Sequence, residues 1–160
     1  MKYDRDITIH HPLSVVYPQH LENINQIIID EGGTQQSFNG EIALNLDKVK
    51  KNCGQIEITR LKSMDMVVGL NDTQRTNPQT LLVDFKLNVN GIRSIKTGDY
   101  KDKIKDSKLL LFGSGISVYN KYVFIFNDQL IQQSRSIIIR GLQNPFAEVL
   151  TVDEFRNEYF

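Results

Sequence analysis

Two acidic residues and a lysine stand out because their types and spacing suit hydrolytic chemistry. Asp84 and Lys86 lie two residues apart in the short apolar segment 80–88, and Asp65 lies in an earlier apolar segment, 64–70. Carboxylates supply the hard oxygen ligands that Mg²⁺ prefers. A bound Mg²⁺ can activate water and neutralise charge on a phosphodiester, while a neighbouring ammonium can stabilise the transition state. This combination of side chains predicts a site for phosphodiester hydrolysis.

The two apolar segments are predicted to be neighbouring strands of an antiparallel hairpin. If the intervening loop is centred, Asp65 lies opposite Lys86, and Asp84 is a diagonal neighbour. A shift of one residue would mix polar and apolar faces, so burial favours this alignment. The apolar face of the hairpin is then formed by Met64, Met66, Val68, Leu70, Leu81, Val83, Phe85 and Leu87.

An ordinary ion pair explains the same pattern. On a solvated sheet face, Asp65 and Lys86 would form a cross-strand pair that contributes only a fraction of a kcal/mol. The residues alone leave both interpretations open.

The sequences Ser63-Met64-Asp65 and Asp84-Phe85-Lys86 resemble the motif of the PD-(D/E)xK nuclease superfamily. Met64 stands where that family usually has proline. The resemblance extends over residues 18–127 and implies a restriction-endonuclease-like core. In such a core, a helix carrying an acidic residue precedes a strand hairpin, and a helix and a further strand follow.

The resemblance also implies a role for each residue of the motif. Asp65 and Asp84 would bind Mg²⁺ or Mn²⁺, and Lys86 would be the catalytic lysine of a metal-dependent endonuclease. Glu22, in the predicted first helix, would be the auxiliary acid, and Glu31 is its rival.

A basic segment follows the hairpin. Residues 93–108 contain six Lys or Arg against three Asp, a net charge of +3. The resemblance implies that this segment contacts the phosphate backbone of DNA or RNA. A solvated helix face is the alternative. The predicted contacts are Arg93, Lys96, Lys101, Lys103 and Lys105.

The remaining pattern predicts a single domain, residues 1–160, with a mixed α/β sheet flanked by helices. Residues 1–17 are predicted to be irregular or a short strand. Segment 38–49 fits a strand or a helix, and a strand leading into a turn is favoured. The other predicted strands are 55–61, 119–127, which is buried on both faces, and 136–142. The predicted helices are 18–31, 99–112, 128–135 and one that starts at the capping box of Thr151 and Glu154.

Composition narrows the function classes. The chain has 160 residues, of which 40% are hydrophobic, and its 19 Lys and Arg balance its 19 Asp and Glu. Net neutrality provides no global attraction to nucleic acid or membrane, so nucleic-acid binding requires a local patch. A single cysteine, Cys53, excludes an internal disulfide and suits the cytoplasm. No segment is apolar enough for a signal peptide or a membrane span.

A non-catalytic protein-binding module is the alternative function. A small neutral α/β domain also suits an immunity-like or antitoxin-like partner, or a subunit of a larger assembly. Its acidic C-terminal segment would then face a basic protein partner. The acidic residues of this segment are Glu148, Asp153, Glu154 and Glu158. The oligomeric state stays open.

Overall fold

The computed structural model describes residues 1–34, 36–54, 56–72 and 78–160. Within these residues, seven strands form one mixed sheet flanked by helices, which confirms the predicted α/β class. The strands are β1 (Lys2–Tyr3), β2 (Leu21–Asn23), β3 (Ile42–Asn45), β4 (Met66–Asn71), β5 (Gln79–Lys86), β6 (Ser117–Phe126) and β7 (Ala147–Leu150). The α-helices are α1 (Arg5–His10), α2 (Pro12–Val16), α3 (Ile24–Asp30), α4 (Leu46–Asn52), α5 (Ile56–Thr59), α6 (Thr97–Leu111), α7 (Ile131–Leu142) and α8 (Val152–Tyr159).

The strand pairing of the sheet changes from antiparallel to parallel at β5, the strand that carries Asp84 and Lys86. The strand order is β2-β3-β4-β5-β6-β7, and β1 pairs with β4 beside this path. Strands β2 to β5 pair antiparallel, whereas β5, β6 and β7 pair parallel. Helix α6 makes the crossover from β5 to β6. Parallel neighbouring strands need such a long connection, usually a helix, because the chain must return to the end of the sheet where the first strand began. This connection brings α6 next to the β4–β5 hairpin.

Two hydrophobic cores cover the two faces of the sheet. The first packs α3 and α8 on one face, and the second packs α4, α6 and α7 on the other. Residues Tyr122–Phe126 of β6 are buried, which confirms the predicted strand at 119–127. Helix α8 has the predicted capping box, in which the side chains of Thr151 and Glu154 bond reciprocally to the backbone.

Helix α1 occupies the edge of β4 at Gly69. The backbone N–H of Gly69 donates to Thr8 Oγ1 at 2.9 Å, and the N–H of Asp4 donates to the carbonyl of Gly69 at 2.9 Å. An added Cβ at Gly69 would lie 2.6 Å from the Ile7 Cβ. Glycine therefore allows the close approach of α1 to the sheet.

Several element predictions were wrong. Residues 1–17 form α1 and α2 in addition to β1. Segment 55–61, predicted as a strand, contains helix α5, and Gln55 lies outside the described residues. Segment 136–142, also predicted as a strand, is the second half of α7. Its apolar residues are buried at helical spacing, at Ile138 and Leu142.

The predicted helix at 18–31 is shorter than expected. Only Ile24–Asp30 forms an α-helix, and Asn23 caps it by accepting from the N–H of Asn25. Leu21–Asn23 forms β2 instead, so the prediction that Glu22 lies on a helix was wrong. Segment 38–49 contains both alternatives, since β3 ends at Asn45 and α4 starts at Leu46.

Within the described residues, no helix combines the length and the apolar character that crossing a membrane requires.

Candidate active site

The β4–β5 hairpin forms as predicted, with a register two residues away from the expected one. Met66 pairs with Val83 and Val67 with Leu82. Continuing this register by one residue places Asp65 opposite Asp84, so the predicted pairing of Asp65 with Lys86 was wrong. A shift of two residues keeps every side chain on its predicted face. The shift therefore brings the two carboxylates closer together without disturbing the apolar face of the strands.

Met64 is the exception to the predicted apolar face. Strand β4 starts at Met66, and Met64 packs in the core beneath α6 instead of beside Met66. Its backbone N–H donates to Ser107 Oγ of α6 at 2.8 Å. The chain leading into β4 is therefore fastened to the crossover helix.

Asp65 and Asp84 are both buried in the second core, beneath α6. Asp65 is 4% exposed and Asp84 is 0% exposed. Asp65 Oδ2 accepts a hydrogen bond from the backbone N–H of Phe85 at 2.6 Å. This bond holds the Asp65 carboxylate against β5, next to Asp84.

Two lysines neutralise these carboxylates. Lys103 Nζ of α6 lies 2.5 Å from Asp84 Oδ1 and 3.3 Å from Asp65 Oδ1. Lys86 Nζ lies 2.5 Å from Asp84 Oδ2 and donates to the carbonyl of Phe85 at 2.9 Å. The lysine side chains are 22% and 18% exposed, so the lysines are the partly exposed members of a cluster whose carboxylates are buried. We call Asp65, Asp84, Lys86 and Lys103 the charge cluster.

Lys103 was predicted as a phosphate contact, and its place inside the charge cluster was missed. The sequence does carry a signal for it. Tyr100, Ile104 and Ser107 are buried on α6, and Lys103 lies on the same helical stripe because i, i+3, i+4 and i+7 positions share a face. A lysine on the buried stripe of a crossover helix requires a buried acidic partner.

The electrostatics of the cluster follow from burial and charge. Burial raises the pKa of the Asp65 carboxyl, the charge of Asp84 raises it further, and the charges of Lys103 and Lys86 partly oppose this rise. Burial alone would lower the pKa of Lys103, but the charges of Asp84 and Asp65 outweigh it and raise that pKa. Lys103 is therefore a protonated cation at neutral pH.

The two candidates for the auxiliary acid occupy different places. Glu22 accepts from Asn45 Nδ2 at 2.9 Å and pairs with Lys48 Nζ at 2.5 Å, at the β2–β3 edge of the sheet. Glu31 follows α3, and the charges of Lys86 and Lys103 act on it. Burial raises the pKa of the Glu31 carboxyl, which those two lysines oppose. Glu31 is therefore the acid electrostatically coupled to the charge cluster.

Asp65 and Asp84 are the members of the cluster that could hold a magnesium ion. Mg²⁺ is commonly bound by one or two protein carboxylates, with water and substrate phosphate completing its shell. The Lys103 ammonium already occupies a cation position between Asp65 and Asp84. Asp84 Oδ2 is engaged by the Lys86 ammonium at 2.5 Å. Among the described residues, no group of three or more His, Cys, Asp or Glu is arranged for metal binding.

The predicted phosphate contacts other than Lys103 lie on the surface. Arg93 and Lys96 are exposed before and at the start of α6, and Lys101 and Lys105 are exposed along it. The last two line a surface cavity of about 470 Å³ that also has an apolar floor. The other residues that line this cavity are Ile104, Lys108, Tyr122, Leu142 and Asn144.

Acidic residues of α6 are partly neutralised from outside the helix. Lys62 Nζ lies 2.8 Å from both Asp99 Oδ1 and Asp102 Oδ2, and its backbone N–H donates to Asp106. The exposed surface of α6 consequently presents more basic character than its sequence composition indicates.

Comparison of the chain with protein-family models, with curated proteins and with solved structures found no match, so the site is interpreted from its own geometry.

Proposed function

We propose that this protein is a metal-dependent nuclease that hydrolyses phosphodiester bonds. The observation that carries this proposal is the convergence of Asp65, Asp84 and Lys86, which come from two strands, in one cluster beneath α6. Two hard carboxylates beside an ammonium are the groups that Mg²⁺-assisted hydrolysis of a phosphodiester uses.

The order of elements supports a restriction-endonuclease-like core of the PD-(D/E)xK type. Helix α3 is followed by β3, the β4–β5 hairpin, α6 and β6, with helices α4 and α5 inserted between β3 and β4. The three strands pair antiparallel in sequence, and β6 joins β5 in parallel. This is the helix, hairpin, helix and strand order that the motif implies.

Each group then has a defined task. Asp65 and Asp84 would bind Mg²⁺ or Mn²⁺, which supplies a Lewis acid and an activated water when bound. Lys86 lies beside Asp84 and would place positive charge next to the phosphate under attack. Glu31 would adjust the charge of the cluster from the end of α3.

The exposed basic residues around α6 would bind the nucleic-acid backbone. Arg93, Lys96, Lys101 and Lys105 are all exposed, and phosphate contacts of this kind position a polynucleotide without reading its sequence. Binding through them would weaken as salt concentration rises, because neutralised phosphates release their counter-ions.

A protein-binding module is the second candidate, and exposed apolar side chains favour it. Phe112 is 87% exposed and Leu109 is 58% exposed, both at the C-terminal end of α6. Neighbouring exposed apolar residues of this size are typical of protein contact surfaces. In this reading the charge cluster is a neutral structural network, and no cleavage occurs.

A cleavage assay separates the two functions. Plasmid DNA, single-stranded DNA and RNA are incubated with Mg²⁺ or Mn²⁺ and with the parent protein, Lys86→Ala or Asp65→Asn. We expect cleavage by the parent and a loss of about 10²-fold or more in each variant, since each removes a group that acts on the transition state. Lys121→Ala is the matched control, because Lys121 also pairs with an acidic residue, Glu148, but lies outside the charge cluster and the basic surface of α6.

Circular dichroism verifies that each variant is folded. Cleavage that survives EDTA contradicts the metal dependence of the proposed nuclease. An inert parent with all three substrates and both ions contradicts the nuclease and favours the protein-binding module.

A further inference from the structure

We propose that Lys103 is an internal counter-ion of the carboxylate pair, which a divalent cation must displace in order to bind. The inference rests on the proposed function for the identity of the ligand, a divalent metal ion. It assigns to Lys103 the control of metal entry, in place of the phosphate contact predicted from its position in the basic segment.

The position of the Lys103 ammonium carries the inference. Its Nζ contacts one oxygen of each aspartate, at 2.5 Å from Asp84 and 3.3 Å from Asp65. A metal ion shared by these two carboxylates would need the same space. The lysine and the metal ion are therefore mutually exclusive at this point of the structure.

Charge balance leads to the same conclusion. With both aspartates ionised, the two aspartates and two lysines make the charge cluster neutral. A divalent ion added beside both lysines would leave a charge of +2 in a place where Asp84 has no exposed surface. Uncompensated charge in such surroundings is strongly unfavourable, so one ammonium must leave when the ion arrives.

Lys103, which lies between the two carboxylates, is the ammonium that an ion shared by both must displace. Lys86 has two further contacts, a hydrogen bond to the Phe85 carbonyl and the face of the Tyr100 ring at 5.7 Å. The contacts of Lys103, among the described residues, are with the two carboxylates. On α6 itself, Asp99 and Asp106 lie four residues before and three residues after Lys103, so a displaced ammonium has acidic neighbours on its own helix.

Mn²⁺ binding tests the inference without any substrate. Isothermal titration calorimetry is performed with the parent, Lys103→Met and Lys103→Gln, both of which remove the charge and keep a side chain of similar length. We expect both variants to bind Mn²⁺ at least about ten-fold more tightly than the parent, because no ammonium competes. They should also gain more thermal stability from added Mn²⁺ than the parent does. Lys121→Met, which removes a lysine paired with Glu148 outside the cluster, is the control and should bind as the parent does.

A measurement on the unmodified chain keeps the test valid if both variants fail to fold. Lysine acetylation is followed by mass spectrometry with and without Mn²⁺. We expect acetylation of Lys103 to increase when Mn²⁺ is present, and acetylation of Lys121, which pairs with Glu148 outside the cluster, to stay constant.

The outcomes distinguish this inference from the proposed nuclease. Tighter Mn²⁺ binding in the folded variants without any cleavage by the parent supports the counter-ion and rejects the nuclease. Cleavage by the parent, with equal Mn²⁺ affinity in all folded variants and unchanged acetylation of Lys103, keeps the nuclease and overturns the counter-ion. Absence of Mn²⁺ binding in the parent and in both variants also overturns it.

Discussion

Replacing Asp84 by asparagine measures how much the charge cluster contributes to folding. The change keeps the shape of the side chain and removes a charge that pairs with both Lys86 and Lys103. Asp84 has no exposed surface, so water cannot replace the lost carboxylate. Removing one partner of a buried ion pair costs about 3–5 kcal/mol. In a domain of this size, that cost corresponds to a decrease in Tm of roughly 10 °C.

The assay is urea and thermal unfolding followed by circular dichroism. Asp99→Asn is the matched control, since Asp99 also pairs with a lysine but is exposed, and its Tm should equal that of the parent. In the double variant Asp84→Asn/Lys103→Met, we expect a loss smaller than the sum of the single losses by about 1–3 kcal/mol. A Tm within about 2 °C of the parent for Asp84→Asn, or strictly additive losses, would refute the buried cluster.

Three further predictions concern pH, packing and the auxiliary acid. Burial lowers the pKa of His11 to about 4, below its ordinary value of 6.5, so the unfolded chain takes up the proton first and stability is lost as pH falls from 6.5 towards 4. His11→Asn keeps an acceptor for the α2 cap and should flatten the dependence of the unfolding free energy on pH, whose slope is at most about 1.4 kcal/mol per pH unit. Urea unfolding at each pH measures this slope. Gly69→Ala should destabilise the protein by about 1–3 kcal/mol or more, because the new Cβ meets α1. Gly98→Ala, at a position of α6 with open space around it, should not destabilise the protein, and chemical unfolding compares the two variants. Finally, cleavage assays should show a larger loss for Glu31→Gln than for Glu22→Gln, and an equal loss would reject the assignment of Glu31.

The hairpin at the centre of the fold was predictable because its apolar residues alternate with period two. The register of the hairpin was not predictable, since a shift of two residues buries the same face equally well. The observed choice sets Asp65 near Asp84, and this proximity is tolerable because Lys86 and also Lys103, which comes from α6, supply positive charge. A prediction based on the hairpin alone cannot include a residue from the next helix.

Local preference misled the prediction of α7. Its Ile137-Ile138-Ile139 run is β-branched, and such residues favour strands. The helix nevertheless buries Ser134, Ile138 and Leu142 at helical spacing. Tertiary packing on the sheet outweighs propensity differences of a few tenths of a kcal/mol per residue. The Thr151 cap of α8 was predictable for the opposite reason, because its contacts lie within one turn.

The placement of Lys103 on the crossover helix has a consequence for how the chain folds. Strands β4 and β5 carry two carboxylates that cannot be dehydrated while they lack a counter-charge. One of the two cations that remove this obstacle arrives with α6, the segment that also leads into β6. The antiparallel and parallel halves of the sheet should consequently assemble in a single concerted step, with the hairpin remaining hydrated until the helix docks upon it.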